Sequence, residues 1–199
     1  MIEIKNTPME KLKAYVQQLA PISDQEFEDA AGAFSKVHLQ KGDYFVRAGR
    51  VCDQIAFING GTLRVYYIND KGEEITSCFC SEHHLTTSYK SFILQQPSVL
   101  SIVAIEDSEL LTISYDDLQK LYATSIGWQA LGRAVAEREY FIMESYASIL
   151  NTESATEKYK RLLREQPEVV QKSTVEDIAS YLGVTRRTLS RIRQQISKL

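Results

Sequence analysis

The sequence predicts an α+β fold in which an N-terminal double-stranded β-helix (a jelly-roll) precedes a long helix and a C-terminal helix-turn-helix. Three observations predict it. Short β-rich runs separated by turn residues extend from about Lys36 to Ser114, a proline-free helical period follows from about Ser125 to Leu150, and residues 175–196 have helix-turn-helix spacing. The predicted segments are residues 1–115, 116–150 and 151–199.

The composition is typical of a folded chain, and its charge is unevenly distributed. Of the 199 residues, 44% are hydrophobic and 25% are charged, which excludes wholesale disorder. The formal net charge of −3 excludes a uniformly basic nucleic-acid coat protein. Residues 1–150 hold 13 basic and 20 acidic side chains, whereas residues 151–199 hold 10 basic and 6 acidic ones. This asymmetry is typical of a nucleic-acid-binding module near the C-terminal end.

The first predicted elements are short helices within residues 8–34. Met9, Leu12 and Val16 recur at helical spacing. Ser23, followed three residues later by Glu26, has the pattern of a capping box and predicts the start of a second helix.

The β-rich region that follows predicts a jelly-roll. Its runs recur at a spacing of roughly 8–12 residues with no helix expected between them, a pattern typical of sandwiches and barrels. Turn residues such as Gly42, Gly49 and Gly72 separate the runs. The predicted strands are residues 44–46, 54–58, 63–68, 74–79, 100–105 and 109–113.

An apolar seam runs along the long helix. Its residues fall at three- or four-residue spacing or at multiples of seven, and the helix is too long for one face of a small domain unless another element packs on it. A partner helix from a second copy is the favoured explanation, and an ordinary helix lying on the barrel is the alternative. The predicted dimer-helix residues are Trp128, Leu131, Val135, Ile142 and Ile149.

The first helix and the turn of the helix-turn-helix are predicted from residue size. Ile178 and Leu182 form an inner apolar face, and Ala179 is small where a second helix must approach closely. Gly183 follows the helix end, where a left-handed conformation is needed, and Val184 fills the turn.

The second helix combines a buried stripe with a basic exposed side. Thr185 is a good N-cap, and Leu189 and Ile192 lie on the stripe. An arginine on the opposite side can donate two hydrogen bonds to guanine O6 and N7 or can bind a phosphate, as recognition helices do in the major groove. A solvated basic helix is the alternative. The predicted DNA-binding residues are Thr185, Arg186, Arg187, Thr188, Arg191 and Arg193.

This order of elements resembles the family of the cyclic-AMP receptor protein and the fumarate–nitrate regulator (Crp/Fnr). The resemblance covers nearly the whole chain and implies a cyclic-nucleotide-binding-like β-roll and a winged-helix-like C-terminal module. The sequence departs from the family in that the β-hairpin wing after the recognition helix is expected to be truncated. It further implies a homodimeric transcription regulator that reads a palindromic operator in double-stranded DNA and works with RNA polymerase. The motifs that carry it are residues 41–43, 48–49, 57–61, 70–74, 106–109 and 178–193.

The effector region departs from that family. The family members that bind cyclic nucleotides contact the ribose and the cyclic phosphate through a Gly-Glu pair and, further along the chain, an Arg-Ser pair. At the corresponding positions this sequence has residues 85–90 (LTTSYK) and Ser98-Val99. A buried cyclic phosphate without its arginine would be poorly compensated, although Lys90 is a substitute cation, so no tight cyclic-AMP binding is predicted. The polar residues either bind another small molecule or form a turn that satisfies its own backbone. The effector-pocket candidates are Thr86, Thr87, Ser88, Tyr89, Lys90, Ser98, Ile142, Met143 and Tyr146.

Cys78-x-Cys80 and His83-His84 offer thiolate and imidazole groups that suit zinc or iron. The favoured interpretation is two small thiols buried on one face of a strand, and an enzyme that uses this cluster is the alternative. The first cysteine is Cys52, so the N-terminal cysteine cluster of the family's iron–sulfur branch is absent. The sequence contains no nucleophile–base motif, phosphate-binding glycine loop or metalloprotease signature. We therefore predict neither a metal, nor a cofactor, nor enzymatic activity.

The chain shows neither a signal-peptide pattern nor a run approaching the ~18 apolar residues of a membrane span. Three cysteines with no framework spacing fit a reducing compartment, so a cytoplasmic protein without membrane contact is predicted. Two functional alternatives stay open. One is a ligand-binding regulatory module that acts through protein contacts, and the other is DNA binding that is independent of any effector.

Overall fold

The structure is a computed structural model that describes residues 7–150 and 153–197, with side chains described for all of these except 146–150. Its helices are α1 (Pro8–Leu19), α2 (Asp24–Ala30), α3 (Tyr89–Leu94), α4 (Tyr115–Thr124), α5 (Ile126–Leu150), α6 (Ala155–Glu165), α7 (Pro167–Lys172), α8 (Val175–Leu182) and α9 (Arg186–Ile196). Its strands are β1 (Phe34–Leu39), β2 (Tyr44–Val46), β3 (Gln54–Gly60), β4 (Leu63–Ile68), β5 (Glu74–Cys80), β6 (Leu85–Thr86), β7 (Leu100–Ala104) and β8 (Ser108–Ser114).

Capping boxes start the first two helices. Thr7 accepts a hydrogen bond from the backbone N–H of Glu10 at the start of α1, and Ser23 does the same for Glu26 at the start of α2. In each box the glutamate accepts a hydrogen bond from the N–H of the capping residue in return. The predicted capping box at Ser23 is therefore confirmed.

The strands form a jelly-roll of two four-stranded sheets, as predicted. All recorded pairs are antiparallel, with the order β1-β8-β3-β6 in one sheet and β2-β7-β4-β5 in the other. The inner faces of the sheets meet in a buried core that includes Ala56, Ile58, Leu63 and Leu110. At the β3–β4 turn Gly61 has a φ of +97°, and a Cβ there would collide with Ser108, so the turn requires glycine.

A second core lies between the outer face of the first sheet and the N-terminal helices. Phe57 and Leu111 from the sheet pack in one cluster with Leu12 of α1 and with Trp128 and Leu131 of α5. The first turns of α5 are therefore covered by the chain's own helices. This corrects the predicted dimer seam, because Trp128 is 2% and Leu131 7% exposed and neither is available to a partner helix.

The C-terminal helices have a third core, which also reaches the jelly-roll. Tyr159 and Leu162 of α6 pack in one cluster with Ile178 of α8, and Phe79 and Ile105 of the jelly-roll belong to the same cluster. The C-terminal module is thus packed against the jelly-roll rather than tethered beside it. In the described residues, none of the helices has the length and apolar character needed to cross a membrane.

Candidate nucleic-acid interface

The turn between α8 and α9 has the predicted local structure. Gly183 adopts the left-handed conformation with a φ of +68°, and its N–H donates to the carbonyl of Ser180. Ala179, four residues earlier, is buried in the same core as Leu189 of the second helix, and its carbonyl accepts a hydrogen bond from the N–H of Val184. Thr185 then caps α9 by accepting a hydrogen bond from the N–H of Thr188 at 3.2 Å. Two helices are thereby held at a short, fixed turn.

The two sides of α9 differ sharply in exposure. Leu189 and Ile192 are buried in the core of the module, whereas Arg186, Arg187 and Arg191 are exposed. No acidic residue lies in the first turn of α9, so its positive helix end and the arginine charges reinforce each other. The side chain of Arg186 is ion-paired with that of Glu176, which leaves Arg187 and Arg191 as the more available cations.

Two of the predicted DNA-binding residues have other contacts. The guanidinium of Arg193 donates a hydrogen bond from Nε to the hydroxyl of Tyr159 at 3.1 Å and lies over its ring, so it joins α9 to α6. Thr188 is half-buried, and its hydroxyl lies 3.1 Å from that of Thr185. These side chains position α9 within the module.

The sequence analysis missed three exposed polar residues beside the arginines. Ser190, Gln194 and Gln195 are exposed on α9. Ser190 is four residues from Arg186, and Gln195 is four residues from Arg191, so each shares a helix face with an arginine. The same helical spacing that selected the arginines could have found them, because serine and glutamine also hydrogen-bond to bases and phosphates.

A buried ion pair joins the module to the jelly-roll, and the sequence analysis did not anticipate it. The side chain of Arg64 on β4 is 8% exposed, and its Nη1 lies 2.9 Å from the carboxylate of Asp177 on α8 and 2.7 Å from that of Glu74 on β5. Its Nε donates to the hydroxyl of Thr76 at 2.8 Å. A buried guanidinium is tolerated only when its donors are satisfied in this way.

Further contacts extend this docking surface, which consists of α8 on one side and strands β4 and β5 on the other. The hydroxyl of Ser180 donates to the carbonyl of Glu74 at 2.8 Å and accepts from the N–H of Thr76 at 2.9 Å. Phe79 and Tyr181 make an edge-to-face contact with ring centroids 5.6 Å apart. The helix α8, the first helix of the predicted helix-turn-helix, is therefore fixed to the jelly-roll, while Arg186, Arg187 and Arg191 of α9 are exposed.

The predicted effector-pocket residues do not converge on one cavity. The hydroxyls of Ser98 and Ser88 are hydrogen-bonded at 2.8 Å, and Thr87 donates to the carbonyl of Gln54 at 2.9 Å. Tyr89 and Lys90 are exposed. This geometry favours the alternative in which the polar groups satisfy their own surroundings.

The remaining candidates lie elsewhere. Thr86 is buried in β6, whereas Ile142 and Met143 are exposed on α5. The side chains of Tyr146 and of the predicted seam residue Ile149 lie outside the described residues.

The cysteine and histidine side chains do not form a metal centre. Cys78 and Cys80 lie on one face of β5, where a hydrogen bond between the thiols, together with burial, raises the pKa of Cys78 well above its ordinary value. His83 and His84 are exposed. Within residues 7–145 and 153–197, no group of three or more His, Cys, Asp or Glu side chains could hold a metal ion.

The second half of α5 presents apolar side chains to solvent. Tyr140 is 64%, Phe141 61% and Met143 70% exposed, which is unusual for large apolar residues so close together on one helix. A shallow groove beside them is lined partly by Phe141 and Ile142. Val135, by contrast, is half-buried and packs against the core that holds Trp128. The exposed apolar part of α5, which we call the exposed seam, therefore consists of Tyr140, Phe141 and Met143 and starts later in the helix than the sequence pattern suggested.

Comparisons with known proteins agree with this architecture. Residues 36–125 match the cyclic nucleotide-binding domain family. Among curated proteins, the anaerobic regulatory protein of Bacillus subtilis is 24% identical over 99 residues, which are 50% of this chain and 42% of that protein. The match therefore spans less than half the length of that relative.

Several solved structures share the fold over most of the chain. The catabolite activator protein of Thermus thermophilus matches with a TM-score of 0.58 and 17% identity, over 96% of this chain and 87% of its own. FixK2 of Bradyrhizobium japonicum matches with a TM-score of 0.67 and 18% identity, over 83% and 85%. A chain from Eubacterium rectale described as a transcriptional regulator of the Crp/Fnr family matches with a TM-score of 0.66 and 20% identity, over 89% and 84%.

Proposed function

We propose that this chain, whose residues 36–125 match the cyclic nucleotide-binding domain family and whose fold is similar to that of FixK2 and of a Crp/Fnr-family regulator, is a sequence-specific DNA-binding transcription regulator. The observation that carries the proposal is the exposed face of α9. Arg187 and Arg191 lie on this face, and the opposite stripe of the same helix is buried. Such a helix can enter the major groove without losing its packing.

In the proposed complex, the N-terminal half of α9 lies along the base edges. A guanidinium of Arg187 or Arg191 donates two hydrogen bonds to guanine O6 and N7, or binds a backbone phosphate. The exposed hydroxyl of Ser190 and the amides of Gln194 and Gln195 supply further contacts from the same helix. The docking surface fixes α8 and thereby sets the direction in which α9 projects from the jelly-roll.

The active form in this proposal is a homodimer formed through α5. Tyr140, Phe141 and Met143 lose their solvent exposure when a second copy of α5 packs on them, and burial of such side chains is favourable. A two-fold symmetric dimer places two α9 helices on successive major grooves, so the operator is palindromic. The proposed partners are double-stranded DNA and RNA polymerase, which places the protein in the cytoplasm.

Cyclic AMP is not the proposed effector. At the position where the resemblance places the phosphate-binding pair, Ser98 is buried and already bonded to Ser88 and to the carbonyl of Leu100. An anionic phosphate inserted there would break these bonds without gaining an arginine at that position. An isothermal titration should therefore show no micromolar affinity for cyclic AMP.

DNA binding can be tested by selecting a duplex from a random library and measuring its affinity by fluorescence anisotropy. Arg187→Ala or Arg191→Ala should each cost about 1–3 kcal/mol of binding free energy where the arginine reads a base. Arg164→Ala is a matched control, because Arg164 is an exposed arginine on α6, outside the α9 face. Its loss should leave the affinity nearly unchanged.

The outcomes separate the proposal from its rivals. Full affinity in both α9 variants, or equal affinity for random DNA, would contradict sequence-specific binding through α9. Binding that weakens steeply with added salt supports phosphate contacts. Absence of any DNA binding, with capture of an acidic protein by the same helix, would support the regulatory module that acts through protein contacts.

A further inference from the structure

A cavity of about 510 Å³ lies between the outer face of the first sheet and the helices that cover it, and Tyr89 is the one predicted effector residue in its described lining. Its volume falls in the range of roughly 300–1,000 Å³ typical of small-molecule sites. Side chains from α1, α4, α5 and four strands, among others, form its walls. The apolar part of the lining includes Leu12, Phe34, Ile55, Leu85, Ile113 and Leu131.

The cavity is a feature of the fold rather than of a loose surface. Leu12 and Trp128 of its lining are buried whereas Arg133 is exposed, so the space is an apolar cavity that opens to solvent on one side. Tyr122 forms part of the wall where it approaches α5, and a Cβ at Gly132 would collide with its hydroxyl. Burial raises the pKa of the Tyr122 hydroxyl above its ordinary value.

The lining also contains exposed polar side chains. Gln119 and Gln129 are exposed, and the amide of Gln129 donates a hydrogen bond to the carbonyl of Tyr122. Arg133 is the one charged residue among the described residues of the lining. Its guanidinium is 76% exposed, and its nearest carboxylate, that of Glu137, is 3.7 Å away, so a guest carboxylate can compete for it. A neutral guest would gain nothing from this charge.

We propose that this cavity binds an aliphatic monocarboxylate of the fatty-acid class, with the chain among the apolar side chains and the carboxylate on Arg133. The apolar walls take the hydrocarbon out of water, and the guanidinium at the rim offers a planar pair of donors that matches a carboxylate. The proposal that the cavity binds a carboxylate does not depend on the proposed DNA-binding function. Its role as the effector site rests on that function, because the cavity is bounded by the first half of α5, the helix of the proposed dimer.

A native tryptophan allows binding at this site to be measured by fluorescence. Trp128 is the single tryptophan of the sequence and lines the cavity, so its fluorescence reports directly on occupation. Titration of the full chain with dodecanoate, below its micelle concentration and without DNA, should give a saturable change in tryptophan emission. Dodecanol, which has the same chain without the charge, should bind about tenfold more weakly.

Two variants with matched controls assign the change to the site. Arg133→Gln should weaken dodecanoate binding about tenfold and leave dodecanol unchanged, whereas Arg164→Gln, which replaces an arginine of similar exposure on α6, should alter neither. Ala123→Phe should abolish binding by filling the cavity, whereas Thr124→Phe, at the adjacent position outside the lining, should not.

Each alternative outcome has a defined meaning. The absence of a saturable change in the folded wild-type chain overturns the proposal, and equal affinity for dodecanol and dodecanoate overturns the carboxylate assignment. If the tryptophan emission changes with protein concentration alone, and dodecanoate no longer binds at high protein concentration, a second copy of the chain occupies the cavity. This result also overturns the proposal. If the circular-dichroism signal shows that Ala123→Phe is unfolded, the comparison of dodecanoate and dodecanol binding by Arg133→Gln decides whether the proposal holds. Binding that persists in a chain shown not to bind DNA retains the site and removes only its effector role.

Discussion

The docking surface between α8 and the jelly-roll makes a strong prediction about stability. Replacing Arg64 by Ala leaves Asp177, whose side chain is 13% exposed, without its cation, and leaves the hydroxyl of Thr76 without its donor. Removing one partner of a buried ion pair costs about 3–5 kcal/mol. The carboxylate of Glu74 is 47% exposed and recovers solvation, and Asp177 keeps its bonds to Thr174, so we expect a loss of about 2–4 kcal/mol of unfolding free energy.

Urea denaturation of the full chain measures this loss, and a double-mutant cycle isolates the pair. Arg64→Ala, Asp177→Asn and the double variant should give a coupling energy above about 1 kcal/mol, because the two residues are in direct contact. Arg164→Ala is the control, since its ion pair with Glu165 is exposed and should be worth less than about 1 kcal/mol. If the costs of Arg64→Ala and Asp177→Asn simply add, the pair does not couple the module to the jelly-roll and the argument fails.

Three further predictions concern α9, α5 and the N-terminal helices. Thr185→Ala removes the cap of α9 and should cost about 1 kcal/mol in urea denaturation, whereas an unchanged midpoint would contradict the capping role. Phe141→Glu places a charge in the exposed seam and should shift sedimentation from dimer to monomer, and a wild-type dimer would refute the seam. Hydrogen bonds from Ser23, with a smaller contribution from the hydroxyl of Ser125, lower the pKa of Glu26 below its ordinary value. Glu26 therefore contributes stability that is present above the pKa of the unfolded chain and is lost as pH falls through the folded pKa, so Glu26→Gln should lose less stability between pH 6 and pH 3. Identical pH curves would contradict the lowered pKa.

Local patterns predicted the elements well because their causes are local. The left-handed Gly183, the cap at Thr185 and the buried Leu189 and Ile192 follow from backbone conformation and helical spacing within about fifteen residues of sequence. The jelly-roll was likewise predicted from turn residues between short β-rich runs. Such signals need no knowledge of what packs against them.

The long helix shows where local periodicity fails. The spacing of Trp128, Leu131 and Val135 correctly indicates one buried face, but periodicity does not reveal what covers that face. The structure covers it with α1 and the first sheet, so only the later part of α5 remains for a partner. The exposed Tyr140 and Phe141 could have marked that part, since aromatic residues on a solvated helix call for a partner.

Arg64 and Asp177 show a different limit of sequence-based prediction, because their contact joins the jelly-roll to the C-terminal module and depends on how the two parts pack together. In the sequence, Arg64 is one basic residue in a β-rich run, and Asp177 has a sufficient local role as the partner of Thr174 in the capping box of α8. The same carboxylate then pairs with a guanidinium more than a hundred residues away. The capping bonds restrict the carboxylate of Asp177, and this restriction lowers the conformational entropy that its ion pair with Arg64 costs. A residue with a complete local explanation can thus also join two modules, and only the packed structure reveals the second role.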